Sequence, residues 1–131
     1  MSHAVIVAID PGKHVGIAFV SLQGELGWHT ITDVAGLNML ELPKDATVIV
    51  GNGTGAQQVT RVLQTRNINY QLVEERNTSL EARQLYFAGH PPKGWQRLLP
   101  PGLRSPNVLI DDYAAYAIAL RFLSTPSIKE Q

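Results

Sequence analysis

Apolar residues in this chain gather in short runs, each closed by glycine, proline or an acidic residue. Ala4 to Ile9 is an unbroken small or β-branched run, the pattern of a strand buried on both faces. It ends in Asp10, then Pro11-Gly12, and a second apolar run follows from Val15 to Val20. The pair predicts a β-hairpin with a short Gly-containing loop. Gly24 breaks the chain, and Gly27 to Thr32 predicts a third short strand. Asp33 is placed to cap a modest helix carrying Leu37, Leu40 and Leu42, stopped by Pro43. Thr47 to Val50 predicts another buried strand.

Gly51-Asn52-Gly53-Thr54-Gly55 then makes a glycine-rich turn from strand to helix. Thr54 and Gln57 match a capping box, and Val59, Val62 and Leu63 line one helical face. Tyr70 to Val73 predicts a strand running into Glu74-Glu75-Arg76. Thr78 and Glu81 match a second capping box, with Glu81 as cap partner, for a helix through Phe87 that stops at Gly89. The last helix is expected from about Val108 to Leu123. Asp111, Ala115, Ile118 and Phe122 share one face of it, with Asp112, Tyr116, Ala119 and Leu123 alongside. The sum is an α/β chain with a mixed central sheet of about five strands, the first three antiparallel, flanked by helices.

At 131 residues, 44% hydrophobic and 17% charged, the composition fits one domain, expected over residues 1–125 with a flexible tail at 126–131. With no cysteine there are no disulfides, thiolate metal sites or cysteine nucleophile. The N-terminus lacks the pattern of a signal peptide, and no apolar run approaches the roughly 18 residues of a membrane span. A cytoplasmic protein without membrane contact is expected. Formal net charge is zero, so no global basic field draws nucleic acid. Positive charge is local instead. Gly89 to Pro106 holds five of the eight prolines together with Lys93, Arg97, Arg104 and Trp95. This reads as a long ordered loop, either solvated with Trp95 packed on the body, or suited to a nucleic-acid backbone and a stacked base.

Three acidic positions carry the candidate chemistry: Asp10 ending the first strand, Glu74 or Glu75 ending a later one, and Asp111 or Asp112 opening the last helix. Two of the three have an ordinary reading. Asp10 can cap the Pro-Gly turn, and the helix aspartates can complement the macrodipole. Gathered at one end of an α/β sheet, however, these carboxylates repel one another unless cations neutralise them. Hard oxygen donors without cysteine or paired histidine suit Mg²⁺ or Mn²⁺. Two such ions about 4 Å apart activate water and stabilise a leaving oxygen in phosphodiester hydrolysis. The glycine-rich turn adds backbone N–H groups able to meet a phosphate.

The motif order resembles the RNase H-like fold, and within it the RuvC/YqgF branch of resolvases. AIDPGKHVGIAFV is similar to that branch's strand, Asp-x-Gly and hairpin; VIVGNGTGAQQV to its glycine-rich turn. LVEERNTSLEA resembles its Asp-Glu-Arg segment, and IDDYAAYAIAL its last-helix motif. The resemblance spans Ala4 to about Leu123. It implies a metal-dependent nuclease with catalytic Asp10, Glu75 and Asp111, the same three and Asp112 as candidate metal ligands, and Mg²⁺ or Mn²⁺ as cofactor. Lys13, Asn52, Thr54, Arg76, Lys93, Arg97 and Arg104 are the expected nucleic-acid contacts. Branched DNA such as a Holliday junction, or structured RNA such as a ribosomal RNA precursor, is the implied substrate, and a homodimer suits a four-way junction. Departures stand beside it. The hairpin turn after Asp10 is one residue shorter than the pattern. Glu74 occupies a usual Asp position. Ala114 stands where RuvC carries a second helix aspartate, and Asp112 lies about 100° around the helix from Asp111. An actin-like kinase also opens with a strand, Asp-x-Gly and hairpin, but needs two lobes. A non-catalytic nucleic-acid-binding or scaffold module is the other alternative.

Overall fold

Alternation along the first strand sets the architecture. A computed structural model describes residues 5–74, 78–90 and 110–124. In it β1 (Val5–Asp10) is buried from Ile6 onward, as its apolar run predicts. β2 (Val15–Ser21) and β3 (Leu26–Thr32) complete an antiparallel meander, and β4 (Thr47–Gly51) and β5 (Gln71–Val73) extend the sheet in parallel on the other side of β1. Strand order is β3-β2-β1-β4-β5, so β1 is central.

Each face of the sheet carries its own core. Val7 and Ile9 of β1, Val15 and Ile17 of β2, and Val48 and Val50 of β4 pack under α1 (Val34–Met39) and α2 (Ala56–Thr65) through Leu37, Val59 and Leu63. Ile6, Ala8, Ala18, Val20 and Ile49 point the other way and meet Ala115, Ile118 and Ala119 of α4 (Asp111–Ser124). Both sets follow from period-2 side-chain alternation on twice-covered strands. The alanines on α4 let that helix sit close to the sheet. α3 (Thr78–Gly89) packs against α4. Among the described residues no helix is long and apolar enough to cross a membrane.

Several local expectations change. Asp33 does cap α1, accepting from Gly36 N–H at 2.8 Å, but the helix ends at Met39. Leu40 and Leu42 pack on the core from outside it. Thr54 is not the cap of α2: Gly55, at φ 90°, holds that position and no side chain caps it. The left-handed backbone there is the reason glycine is needed. Glu81 lies in the first turn of α3, but its carboxylate reaches Arg121 Nη2 of α4 at 2.9 Å, an ion pair the capping-box reading missed. α4 begins at Asp111, with the Ile110 carbonyl accepting from Ala114 N–H at 2.9 Å.

Candidate active site

Asp10 is the one buried charged side chain among the described residues, with 8% of its surface exposed. Counting along β1, Ile6 and Ala8 face α4, so Asp10 does too. A carboxylate placed there is costly unless partners compensate it. Its cross-strand partner is Gly16 of β2. Gly16 is where α4 lands on the sheet: a Cβ at this position would fall within the Asp111 carbonyl group and 2.8 Å from Asp112 N. The first residues of α4 therefore lie one strand's width from Asp10, because strand partners in an antiparallel pair have Cα atoms about 5 Å apart. Asp10 and Asp111, two of the sequence-derived candidates, share one corner of the fold.

Two loops close on that corner. A Cβ on Gly55 would stand 3.0 Å from Gly12 N, so the turn after β4 leans against the loop that follows Asp10. Lys13, Asn52 and Thr54 are exposed on these two loops. Asn52 N–H donates to the Val73 carbonyl at 3.0 Å, continuing the pairing of β4 with β5. Val73 belongs to the α4-side core. The carboxyl ends of β1, β4 and β5 thus open in the same direction, as parallel pairing demands. Arg121 ties this edge to the helices. Its Nη1 donates to the Glu74 carbonyl at 3.3 Å while Nη2 holds Glu81.

The two helix aspartates differ in their surroundings. Burial pushes the Asp111 carboxyl above the ordinary range, His14 opposes the shift, and Asp112 adds to it. Asp112 is engaged elsewhere. Its Oδ2 meets His29 Nδ1 of β3 at 2.7 Å, and its Oδ1 accepts from Tyr113 N–H at 2.9 Å. The Tyr113 hydroxyl is pushed up by burial first, then by Asp112 and Tyr86.

Rings surround this end of α4, a feature the sequence reading missed. Tyr113 packs against His29 with centroids 5.4 Å apart and against Tyr86 of α3 at 5.7 Å, and His90 stacks on Tyr86 at 4.4 Å. The available signals were the four-residue spacing of Tyr86 and His90 and the place of His29 opposite Ala18, a residue of the α4-side face.

Glu75, Arg76, Lys93, Arg97 and Arg104, with Trp95, lie outside the described residues. Among the described residues no three His, Asp or Glu side chains converge closely enough to hold a metal ion. A cavity of about 600 Å³ opens between α1 and α2, lined by Val34, Asn38, Arg61 and Thr65 among others, across the sheet from Asp10 and Asp111.

No protein-family model matches this chain, and no curated protein sequence matches it. Solved structures do. Thermus thermophilus RuvC superposes with a TM-score of 0.51 at 16% identity, covering 88% of this chain and 91% of that one. T. thermophilus RuvC in complex with a Holliday junction substrate gives 0.53 at 16% identity, covering 90% and 92%. The likeness extends over nearly the full length of both chains and establishes the fold as RNase H-like, a mixed five-stranded sheet with flanking helices.

Proposed function

We propose that this chain is a RuvC-like nuclease that hydrolyses phosphodiester bonds in branched DNA, or in structured RNA of the ribosomal-precursor kind, using Mg²⁺ or Mn²⁺. The observation that carries the reading is the corner where Asp10, buried at the end of the central strand, meets the acidic start of α4 across Gly16. Its donors suit a hard cation. Asp10 and Asp111 offer only carboxylate oxygens, and burial makes the ionised form of Asp111 unfavourable when no cation stands beside it. Asp10, Glu75 and Asp111 are assigned as the holders of the metal. When bound, the ion supplies positive charge and water made acidic by that charge.

The remaining work belongs to the protein. Packing of α4 on Gly16 fixes where the Asp111 backbone sits relative to Asp10, and pre-set geometry of this kind lowers the entropic cost of reaching the transition state. Asp112, already bonded to His29 and to the Tyr113 N–H, serves to hold the first turn of α4 in place rather than as a ligand. Exposed Lys13, Asn52 and Thr54 rim the corner and meet the phosphate backbone, with Arg76, Lys93, Arg97 and Arg104 assigned to the same task. We assign the activity to a single domain over 1–125 with a tail at 126–131. A homodimer, working in the cytoplasm, matches the two-fold symmetry of a four-way junction.

The test is cleavage of a labelled four-way DNA junction and a structured RNA with Mg²⁺ and with Mn²⁺, by the parent and by Asp10→Asn. The isosteric change keeps volume and removes charge. It should leave the fold intact and lower the rate by at least about a hundredfold, the scale of losing a group that acts in the transition state. Cleavage by Asp10→Asn at the parent rate would overturn the site. Binding of either substrate without cleavage under any of these conditions would make the chain a non-catalytic binding module.

A further inference from the structure

The middle of α3 carries an arginine whose donors go unused. Arg83 is half-buried, and its Nε has no surface open to water and no hydrogen-bond partner. The residues one turn away on either side, Ser79, Leu80, Tyr86 and Phe87, include no carboxylate. Glu81, the acidic residue in the first turn of this helix, is turned to Arg121 of α4 at 2.9 Å. Arg83 makes no ion pair or hydrogen bond to any described residue. Its surroundings are fixed. α3 is tied to α4 on both sides of Arg83, by Glu81 and Arg121 toward its start and by Tyr86 against Tyr113, rings 5.7 Å apart, toward its end. Water cannot satisfy a nitrogen it cannot reach, and an N–H buried without a partner lowers stability. For stability alone arginine is therefore a poor choice here. Methionine would fill the same stem space, with its terminal methyl where Nε stands, and is as good a helix former.

We propose that Arg83 binds a phosphate of the nucleic-acid backbone through the Nη1–Nη2 edge of its guanidinium. The assignment rests on the nuclease reading above and adds a backbone contact on α3, outside the carboxylate corner. Burial of Nε fixes which edge is offered. With the stem and Nε enclosed, a ligand meets the two terminal nitrogens, which suit two parallel N–H···O bonds to phosphate oxygens. Guanidinium is planar, permanently charged and weakly hydrated, so a partly buried site takes arginine more readily than lysine. α3 packs chiefly against α4, whereas Asp10 ends the central strand. The phosphate held on α3 is then a neighbour of the one that is cut. Such a contact sets where the strand lies and reads no base. The unsatisfied Nε is the stability given up to keep a cation preset for its ligand.

The experiment compares the full chain with Arg83→Met and Arg83→Lys. Affinity for a four-way DNA junction is measured against salt from about 50 to 200 mM, with Ca²⁺ in place of Mg²⁺, and urea melts are taken without nucleic acid. Arg83→Met should weaken junction binding by roughly tenfold and lower the salt slope by about one, the mark of one lost phosphate contact. Its urea midpoint should rise by roughly 0.5 M, because the buried donor is gone. Arg83→Lys keeps the charge and loses the fork, so it should hold the parent's slope and bind with an affinity between the other two. An arginine that served only the fold would leave the slope alone and lower the midpoint when lost. Either the parent's slope in Arg83→Met, or a midpoint below the parent's, overturns the proposal. A parent that cuts junctions while Arg83→Met keeps its slope removes this contact and leaves the nuclease reading standing. Should the parent neither bind nor cut, the nuclease reading falls, and the melting temperature in inorganic phosphate tests the site by itself. A rise in the parent that Arg83→Met lacks supports a phosphate site for a small ligand, and no such difference overturns it.

Discussion

Replacing Gly16 by alanine separates local propensity from tertiary packing, because the two predict opposite signs. Glycine inside a strand is disfavoured by roughly 0.5–1 kcal/mol relative to alanine, so propensity alone predicts a gain. The fold predicts a loss. The added methyl would overlap the Asp111 carbonyl and stand 2.8 Å from Asp112 N, whereas heavy atoms pack best at about 3.5–4.0 Å. Both obstacles are backbone, so no side chain can rotate away. Either α4 retreats by roughly 1 Å or more, loosening Ala115, Ile118 and Ala119 from Ala8 and Ala18, or β2 bends. Overpacking typically costs about 1–3 kcal/mol, and immovable neighbours put this case near the top of that range, about 3 kcal/mol. For a chain of this size that lowers the melting temperature by about 10 °C and moves the urea midpoint by about 1.5 M. Gly89→Ala is the control: nothing lies within 4 Å of its added methyl, so stability should hold or rise slightly. Urea melts of the three proteins decide the matter, and cleavage assays should show Gly16→Ala impaired through the displaced Asp111. A Gly16→Ala variant within about 0.5 kcal/mol of the parent would refute the claim that α4 is seated on this glycine.

In metal-free buffer, Asp111→Asn should be more stable than the parent at pH 7. Burial raises the folded-state pKa of Asp111 above its unfolded value, His14 opposing and Asp112 adding, so the folded form takes the proton more tightly. The parent's deficit is absent below about pH 4 and grows as pH rises through the folded-state pKa; urea melts at pH 4 and pH 7 should show the gap open, and an equal gap at both would contradict it. Arg121→Met keeps the apolar stem and loses the bonds to Glu81 and to the Glu74 carbonyl. Glu81 is well exposed, so the loss should be only about 0.5–1 kcal/mol, and a double-mutant cycle with Glu81→Gln giving coupling above about 2 kcal/mol would show the pair to be far better shielded than this.

The sheet was legible because its strands are short apolar runs buried on both faces. Ala4 to Ile9, Val15 to Val20 and Thr47 to Val50 are almost uniformly apolar, and the described residues of each, from Val5 on in the first, form a strand of the core. The face of α4 was legible for the same reason: helical spacing of four and then three residues from Asp111 through Ala115 and Ile118 puts the first acidic residue at the head of a buried stripe. Caps were less legible. Thr54 satisfies a sequence rule for helix starts, but Gly55, one residue later, can adopt the left-handed backbone that the close approach to Gly12 requires. Glu81 satisfies the same rule at α3, yet a guanidinium 40 residues away competes for it.

What stayed hidden in the site is what depends on contacts distant in sequence. Asp112 and His29 are 83 residues apart, and nothing local to either announces the pair. The pair nevertheless bears on the ambiguity between adjacent aspartates. One residue along a helix is a turn of about 100°, so Asp111 and Asp112 cannot both point at Asp10. The side chain bonded to His29 of β3 is turned toward the sheet's edge, which supports the proposed assignment of Asp111 rather than Asp112 as the partner of Asp10. Gly16 was equally silent. In the sequence it is one small residue in a hairpin strand, and only the packing of α4 shows that its missing side chain brings the two acidic ends together. The corner is thus built from an absence on β2 as much as from the carboxylates on β1 and α4. That is why a search for acidic residues alone finds its members but not the element that aligns them.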